Sequence, residues 1–213
     1  MQSRFNRELN WPWFLSPLQR RIMPKMDDRV SSRNPLAHSR KSKLREWAET
    51  FFGVLMVALF LRATVVEALW IPSPSMAPTL EIGDRLVVEK ISYHFHSPQR
   101  GDIVVFQPPE RLSEYGYNIR YSWVKRVIGL PGERIAVKKG QVLVNGQPLS
   151  ESYLATPPVY SMPEKEIPSG EVFVMGDNRN NSADSHVWGA LPVNNIIGRA
   201  RICFWPPYRT GFL

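Results

Sequence analysis

Ser73 and Ser75 stand two residues apart in the stretch PSPSMAPTL, residues 72–80, interleaved with Pro72, Pro74 and Pro78. Proline fixes its own φ and biases the residue before it toward extended backbone, so the segment is stiff and closed to helix. A hydroxyl presented on such a segment is a usable nucleophile once a base removes its proton. Taken alone, the stretch reads first as a proline-rich linker. The nucleophile reading depends on whether the chain supplies a base.

The four histidines are His38, His94, His96 and His186. His38 precedes the main apolar run and would lie across a membrane from Ser75 if that run crosses one. His94 and His96 alternate within SYHFHS, the pattern of a solvent-facing strand edge. His186 follows Asp184 by two, which is material for a Ser-His-Asp triad, but a lone histidine in DSHVWG reads as a loop residue. The stronger base is a lysine. In YSWVKRVIGLPGE, strand alternation sets Trp123, Lys125 and Val127 on one face and Val124, Arg126 and Ile128 on the other. One of the two cations therefore faces inward whichever face is covered. Burial lowers an ammonium's pKa and can leave lysine a neutral base, which arginine cannot become. Against this stands the ordinary fate of a strand lysine, which is exposure.

A third cluster, GDNRNNSADSHVWG, occupies residues 176–189. Its Asn, Asp, Ser and Gly content predicts a tight, hydrogen-bonded loop. Calcium is disfavoured, because Asp177 and Asp184 are its only acids and no glutamate closes a twelve-residue calcium loop. Cys203 is the single cysteine, which excludes an intrachain disulfide framework and paired-cysteine zinc. No metal and no cofactor are expected.

The elements that must position these residues follow from charge and hydropathy. The formal charge of +8 lies entirely in residues 1–45, with 11 Lys+Arg against 3 Asp+Glu; the remainder holds 16 of each. A basic arm suits nucleic acid, but one that directly precedes an apolar run suits a cytoplasmic membrane flank better, and no nucleic-acid partner is expected. The run TFFGVLMVALFLRATVV, residues 50–66, carries Arg62 as its only charge. As a helix it is about 25 Å long, and extension from Trp47 to Trp70 brings it to about 36 Å. This predicts a single membrane-spanning helix over 47–70, with residues 1–45 a basic, largely disordered cytoplasmic segment. A buried helix of a soluble protein competes with that reading. A cleavable signal peptide fits worse, because the basic region ahead of the run is too long. Beyond Trp70 the texture changes to strand-length runs: RLVVEK, DIVVF, SWVKRVIG, RIAVKK, QVLVNG, EVFVMG and GRARICFW, with KKGQ and NGQP as turns. The fold class is mainly β: one N-terminal transmembrane helix followed by an all-β domain of antiparallel sheets over 71–213.

Together the pieces resemble the bacterial type I signal peptidase family, leader peptidases that use a Ser/Lys dyad. IPSPSMAPTL is similar to the nucleophile box, RGDIVVF to the strand after it, VKRVIGLPGE to the lysine box and MGDNRNNSADSHVWG to the terminal box, in that order over about residues 47–205. The resemblance implies Ser75 as nucleophile and Lys125 as general base. It implies Ser73 beside the backbone N–H of Ser75 in an oxyanion hole. It also implies Ser182 hydrogen-bonded to the lysine amine, and Asp184 supporting the site through Arg126 or Arg179. The implied substrates are preprotein signal peptides, cut after a small residue from the extracytoplasmic face of the plasma membrane, with lipid as the other partner. Two departures stand out: Asn180 occupies a position where the family usually has Asp, and Pro74 precedes the nucleophile. A Ser/Lys protease for one dedicated substrate and a non-catalytic membrane-anchored β module remain as alternatives.

Overall fold

The structure, a computed structural model, describes residues 35–213, with side chains described for 43–62 and 65–213. Residues 1–34 of the expected basic segment lie outside the described residues. Helix α1 runs Pro35–Thr64, so the helix expected over 47–70 is displaced toward the N-terminus. Its expected last turn is instead strand β1, Val66–Trp70, paired antiparallel with β2, Arg85–Glu89, from Val66 opposite Glu89 to Trp70 opposite Arg85. The reason is local. Pro72 and Pro74 bar helix just downstream, and β2 offers this segment a full row of backbone partners. Glu49 and Arg62 bound the apolar part of α1, and among the described residues no helix is long and apolar enough to cross a membrane.

The remaining strands are β3 (Ile103–Phe106), β4 (Trp123–Gly129), β5 (Arg134–Lys138), β6 (Gln141–Val144), β7 (Gln147–Pro148), β8 (Met162–Glu166), β9 (Glu171–Met175), β10 (Leu191–Pro192), β11 (Ile196–Trp205) and β12 (Gly211–Phe212). A one-turn helix, α2, spans Ser185–Trp188. The larger sheet runs β1-β2-β11-β3-β4-β9-β10, with β12 added beside β11; the smaller runs β7-β6-β5-β8. Every pairing is antiparallel. Each of the seven runs read as strands from sequence is one. KKGQ and NGQP are the hairpin turns on either side of β6, with Lys139, Gly140, Asn145 and Gly146 all at positive φ, as tight two-residue turns require.

One apolar cluster, with Ile128, Ile135, Val137, Phe173 and Met175, joins the two sheets. Another, with Ile71, Met76, Leu80, Leu86 and Val124, lies under the proline-rich segment. A third gathers Val104, Phe106, Val127, Val174 and Leu191. The clusters take residues from both faces of β4, so this strand is covered on each side. Both cations are consequently buried, Lys125 at 5% exposure and Arg126 at 9%, where alternation alone required only one.

Candidate active site

Ser75 sits in a short 3-10 turn, Pro74–Met76, that follows β1. Met76 and Leu80 are fully buried and pin the turn to the core, while Ser73 stays exposed and Ser75 half-buried. The other side of the turn is clamped by the loop after β9. Asn178 donates its backbone N–H to Ser75 O at 3.1 Å and its side-chain amide to Pro74 O at 3.2 Å. Gly176 makes this approach feasible: a Cβ there would come within 2.3 Å of both Ser75 O and Ser182 Oγ. The chain is glycine at this point because nothing larger fits.

Lys125 reaches the turn from β4. Its Nζ donates to Ser75 Oγ at 2.8 Å and to Val124 O at 3.1 Å. Burial lowers its pKa from 10.5 to about 8, against the opposing pull of Asp184 and then Asp177. An ordinary lysine is almost wholly protonated at neutral pH, whereas this one has a substantial neutral fraction by pH 8. Ser73 Oγ lies 3.3 Å from Ser75 Oγ. The hydroxyl partners of Ser75 are thus Lys125 and Ser73, and not His186.

The remaining residues singled out from sequence are arranged differently from what the resemblance implied. Asp184 forms no hydrogen bond or ion pair with Arg126 or Arg179. Arg126 instead forms a fork on Asp177, Nε to Oδ1 at 2.9 Å and Nη2 to Oδ2 at 2.6 Å, and Arg179 forms one on Glu151. Register explains the first pairing: Arg126 lies opposite Met175, the last residue of β9, and Asp177 follows two residues later, within reach of its guanidinium. Asp184, fully buried, accepts from Gly176 N at 2.9 Å, His186 N at 3.1 Å and His186 Nδ1 at 2.7 Å. Ser182 Oγ is buried against Gly176 without a hydrogen-bond partner, so a bond to the lysine amine is not among those formed here. His94 closes a 3-10 turn rather than standing in a strand edge. Among the described residues no His/Cys/Asp/Glu group could hold a metal ion.

A cleft of about 370 Å³ opens on the Ser75–Lys125 pair. Leu69, Ile71, Met76 and Val124 give it apolar walls, and Tyr117 and Tyr121 approach from the segment between β3 and β4. The site therefore combines a serine, a desolvated amine within hydrogen-bond reach, a second hydroxyl and an apolar groove, which is the equipment for acyl transfer to and from an extended peptide.

A family model described as "Signal peptidase, peptidase S26" matches residues 44–205, most of the chain. The chain belongs to this family. It is 58% identical over 159 residues to a "Probable signal peptidase I-1" of Synechocystis sp., covering 75% of this chain and 81% of the relative. It is 52% identical to a "Signal peptidase I" of Leptolyngbya laminosa, over 81% of this chain and 85% of that one. A "Probable thylakoidal processing peptidase 2, chloroplastic" of Arabidopsis thaliana is 43% identical, over 78% of this chain and 45% of its own. Peptidase S26 membership makes the protein a hydrolase of the signal peptidase type. Sequence reasoning gave no role beside Ser75 and Lys125 to Gly176, Asp177, Asn178 or Thr79, whose hydroxyl donates to Asp177. The available signal was the GDN triplet at the end of a strand-length run, where the chain must turn.

Proposed function

We propose that the protein is a membrane-associated serine endopeptidase that removes signal peptides from exported preproteins, with Ser75 as nucleophile and Lys125 as general base. The observation that carries this reading is the 2.8 Å contact between Lys125 Nζ and Ser75 Oγ in surroundings that bring the amine's pKa down to about 8. Once the lysine is neutral, the contact reverses and the hydroxyl donates to the nitrogen lone pair. The proton passes to Nζ as Oγ attacks the carbonyl that follows a small residue. The oxyanion is met by the Ser75 backbone N–H and the Ser73 hydroxyl. Collapse expels the amine of the mature chain, which takes the proton from the Lys125 ammonium and leaves an acyl ester on Ser75. Neutral Lys125 then deprotonates water to hydrolyse that ester. The apolar groove suits an extended segment with small side chains.

Membrane association is supported by α1, whose Trp47, Phe51, Phe52 and Val54 are each at least 63% exposed. Leaving that much apolar surface in water is unfavourable, and lipid would cover it. The catalytic domain then works at the extracytoplasmic face of the plasma membrane, close to the segment that a preprotein leaves in the bilayer, which shortens the search for the cleavage site.

The test is cleavage of a purified preprotein in detergent by wild type, Ser75→Ala and Lys125→Ala, with the product's new N-terminus mapped. Cleavage by wild type alone, after a small residue beyond the apolar segment, is expected. Equal cleavage by the variants, or an inert wild type on several folded preproteins, would overturn the reading.

A further inference from the structure

Residues 149–161 pack against the loop that follows β9 and against Arg126 of β4, at several independent points. The Glu151 carboxylate receives the buried Arg179 guanidinium, with Nη1 at 2.8 Å. The Tyr153 ring lies 4.1 Å from the Arg126 guanidinium. Both ends of the Asn180 amide are engaged: Nδ2 donates to Pro157 O at 3.0 Å and Oδ1 accepts from Val159 N at 2.9 Å. A carboxylate at position 180 could make only the second bond, so the amide is what the clamp requires.

The last contact of this segment bears on the base. The Tyr160 ring stacks on His186, centroids 4.2 Å apart and planes 15° from parallel. The Tyr160 hydroxyl is buried without a hydrogen-bond partner, so its ring face is what it contributes. His186 in turn directs Nδ1 at Asp184 Oδ1, 2.7 Å away. A carboxylate can only accept, so Nδ1 carries the proton. Asp184 and Asp177 are the carboxylates whose charge favours the protonated form of Lys125. Asp177 is neutralised by Arg126. Asp184 has no arginine; beyond two backbone N–H groups, His186 is its only side-chain donor among the described residues.

We propose that Tyr160 and His186 are positioning residues for the catalytic base: the stacked ring keeps the His186 Nδ1 proton on Asp184, which limits the pull of that carboxylate on the Lys125 ammonium. The role rests on the Ser75–Lys125 reading. The charged and titratable groups involved are Asp184 and Tyr160 around His186, Arg179 and Glu151 beyond Tyr160, and Asp177 and Asp184 around Lys125. Loss of the donor or of the ring leaves Asp184 less compensated, so the lysine holds its proton to higher pH.

The experiment is the pH dependence of kcat/KM for preprotein cleavage, from pH 6 to 10, using the full chain in detergent. His186→Ala and Tyr160→Leu should move the midpoint of the rising limb upward by about half to one pH unit, a loss of about three- to tenfold at pH 7, with the alkaline plateau nearly retained. His186→Asn, whose amide nitrogen can replace Nδ1, and Tyr160→Phe, which keeps the ring, should keep the wild-type midpoint. A uniform loss at every pH with the midpoint in place, or no change, would overturn the proposal. Thermal melts check folding. If His186→Ala does not fold, Tyr160→Leu decides alone, because it removes only the ring that holds the imidazole against Asp184 and leaves the imidazole itself. A wild type with no limb near pH 8, or a Lys125→Ala variant that cuts normally, would instead overturn the dyad reading itself.

Discussion

Replacing Lys125 with methionine should abolish cleavage and, at neutral pH, stabilise the fold. The folded chain holds this lysine at 5% exposure with its pKa lowered from 10.5 to about 8 by burial. Between those two pH values the unfolded chain binds a proton on Lys125 that the folded chain does not, so wild-type stability rises with pH across that window. Stability is fully present above 10.5 and is lost as pH falls to 8. The fall from 10.5 to about 8 corresponds to ~3 kcal/mol. Methionine has a similar shape and no charge, so the variant lacks this dependence. It also loses the amine's bonds to Ser75 and Val124, an offset of about 1 kcal/mol each that does not follow the same pH window. The assay is denaturant unfolding of both proteins at pH 7 and pH 10.5, because every other group titrates alike in the two and cancels in the difference. The variant's advantage should shrink by about 3 kcal/mol on going to the higher pH. A difference that stays constant across the two pH values would show that the lysine is not desolvated, and the reasoning would fail.

Other perturbations separate the parts of the site. Lys125→Arg should be inactive at every pH, because the guanidinium never becomes a base; a fall of at least about a hundredfold in single-turnover cleavage is expected. Gly176→Ala puts a Cβ within 2.3 Å of Ser75 O, a backbone atom that must move, so kcat should collapse while circular dichroism stays native. Glu151→Ala strands the Arg179 guanidinium, which is 1% exposed, and should cost about 3–5 kcal/mol in denaturant unfolding.

Much of this was readable in the sequence where local chemistry decides. β-Branched runs and the NG and KG turns specify their hairpins because the turn backbone demands those residues. Ser75 and Lys125 stood out by residue type, since few other groups can act as a nucleophile and a neutral base. β1 was hidden because a continuous apolar run satisfies helix and strand alike, and its partner β2 lies well downstream. β8, MPEKE, has little apolar content and is a strand only because β5 pairs with it. Which carboxylate each arginine takes was beyond reach. Asp177 and Asp184 differ in sequence only by position, and the β4–β9 register chooses between them. Tyr160 and Glu151 gave no local sign of a role, and Asn180 stood out only as a departure from the family pattern, because their partners meet only when the segment 149–161 folds onto the loop.

The central claim is that Ser75 is activated by a lysine whose pKa burial brings down to about 8, so that a usable neutral fraction exists near physiological pH. The most direct measurement is the pH dependence of Ser75 acylation in a single turnover with a preprotein substrate. The account predicts one ionisation, with the rate rising to a plateau through a midpoint near 8 and with no activity in Lys125→Ala at any pH. A midpoint in the histidine range, or acylation that persists without Lys125, would contradict it.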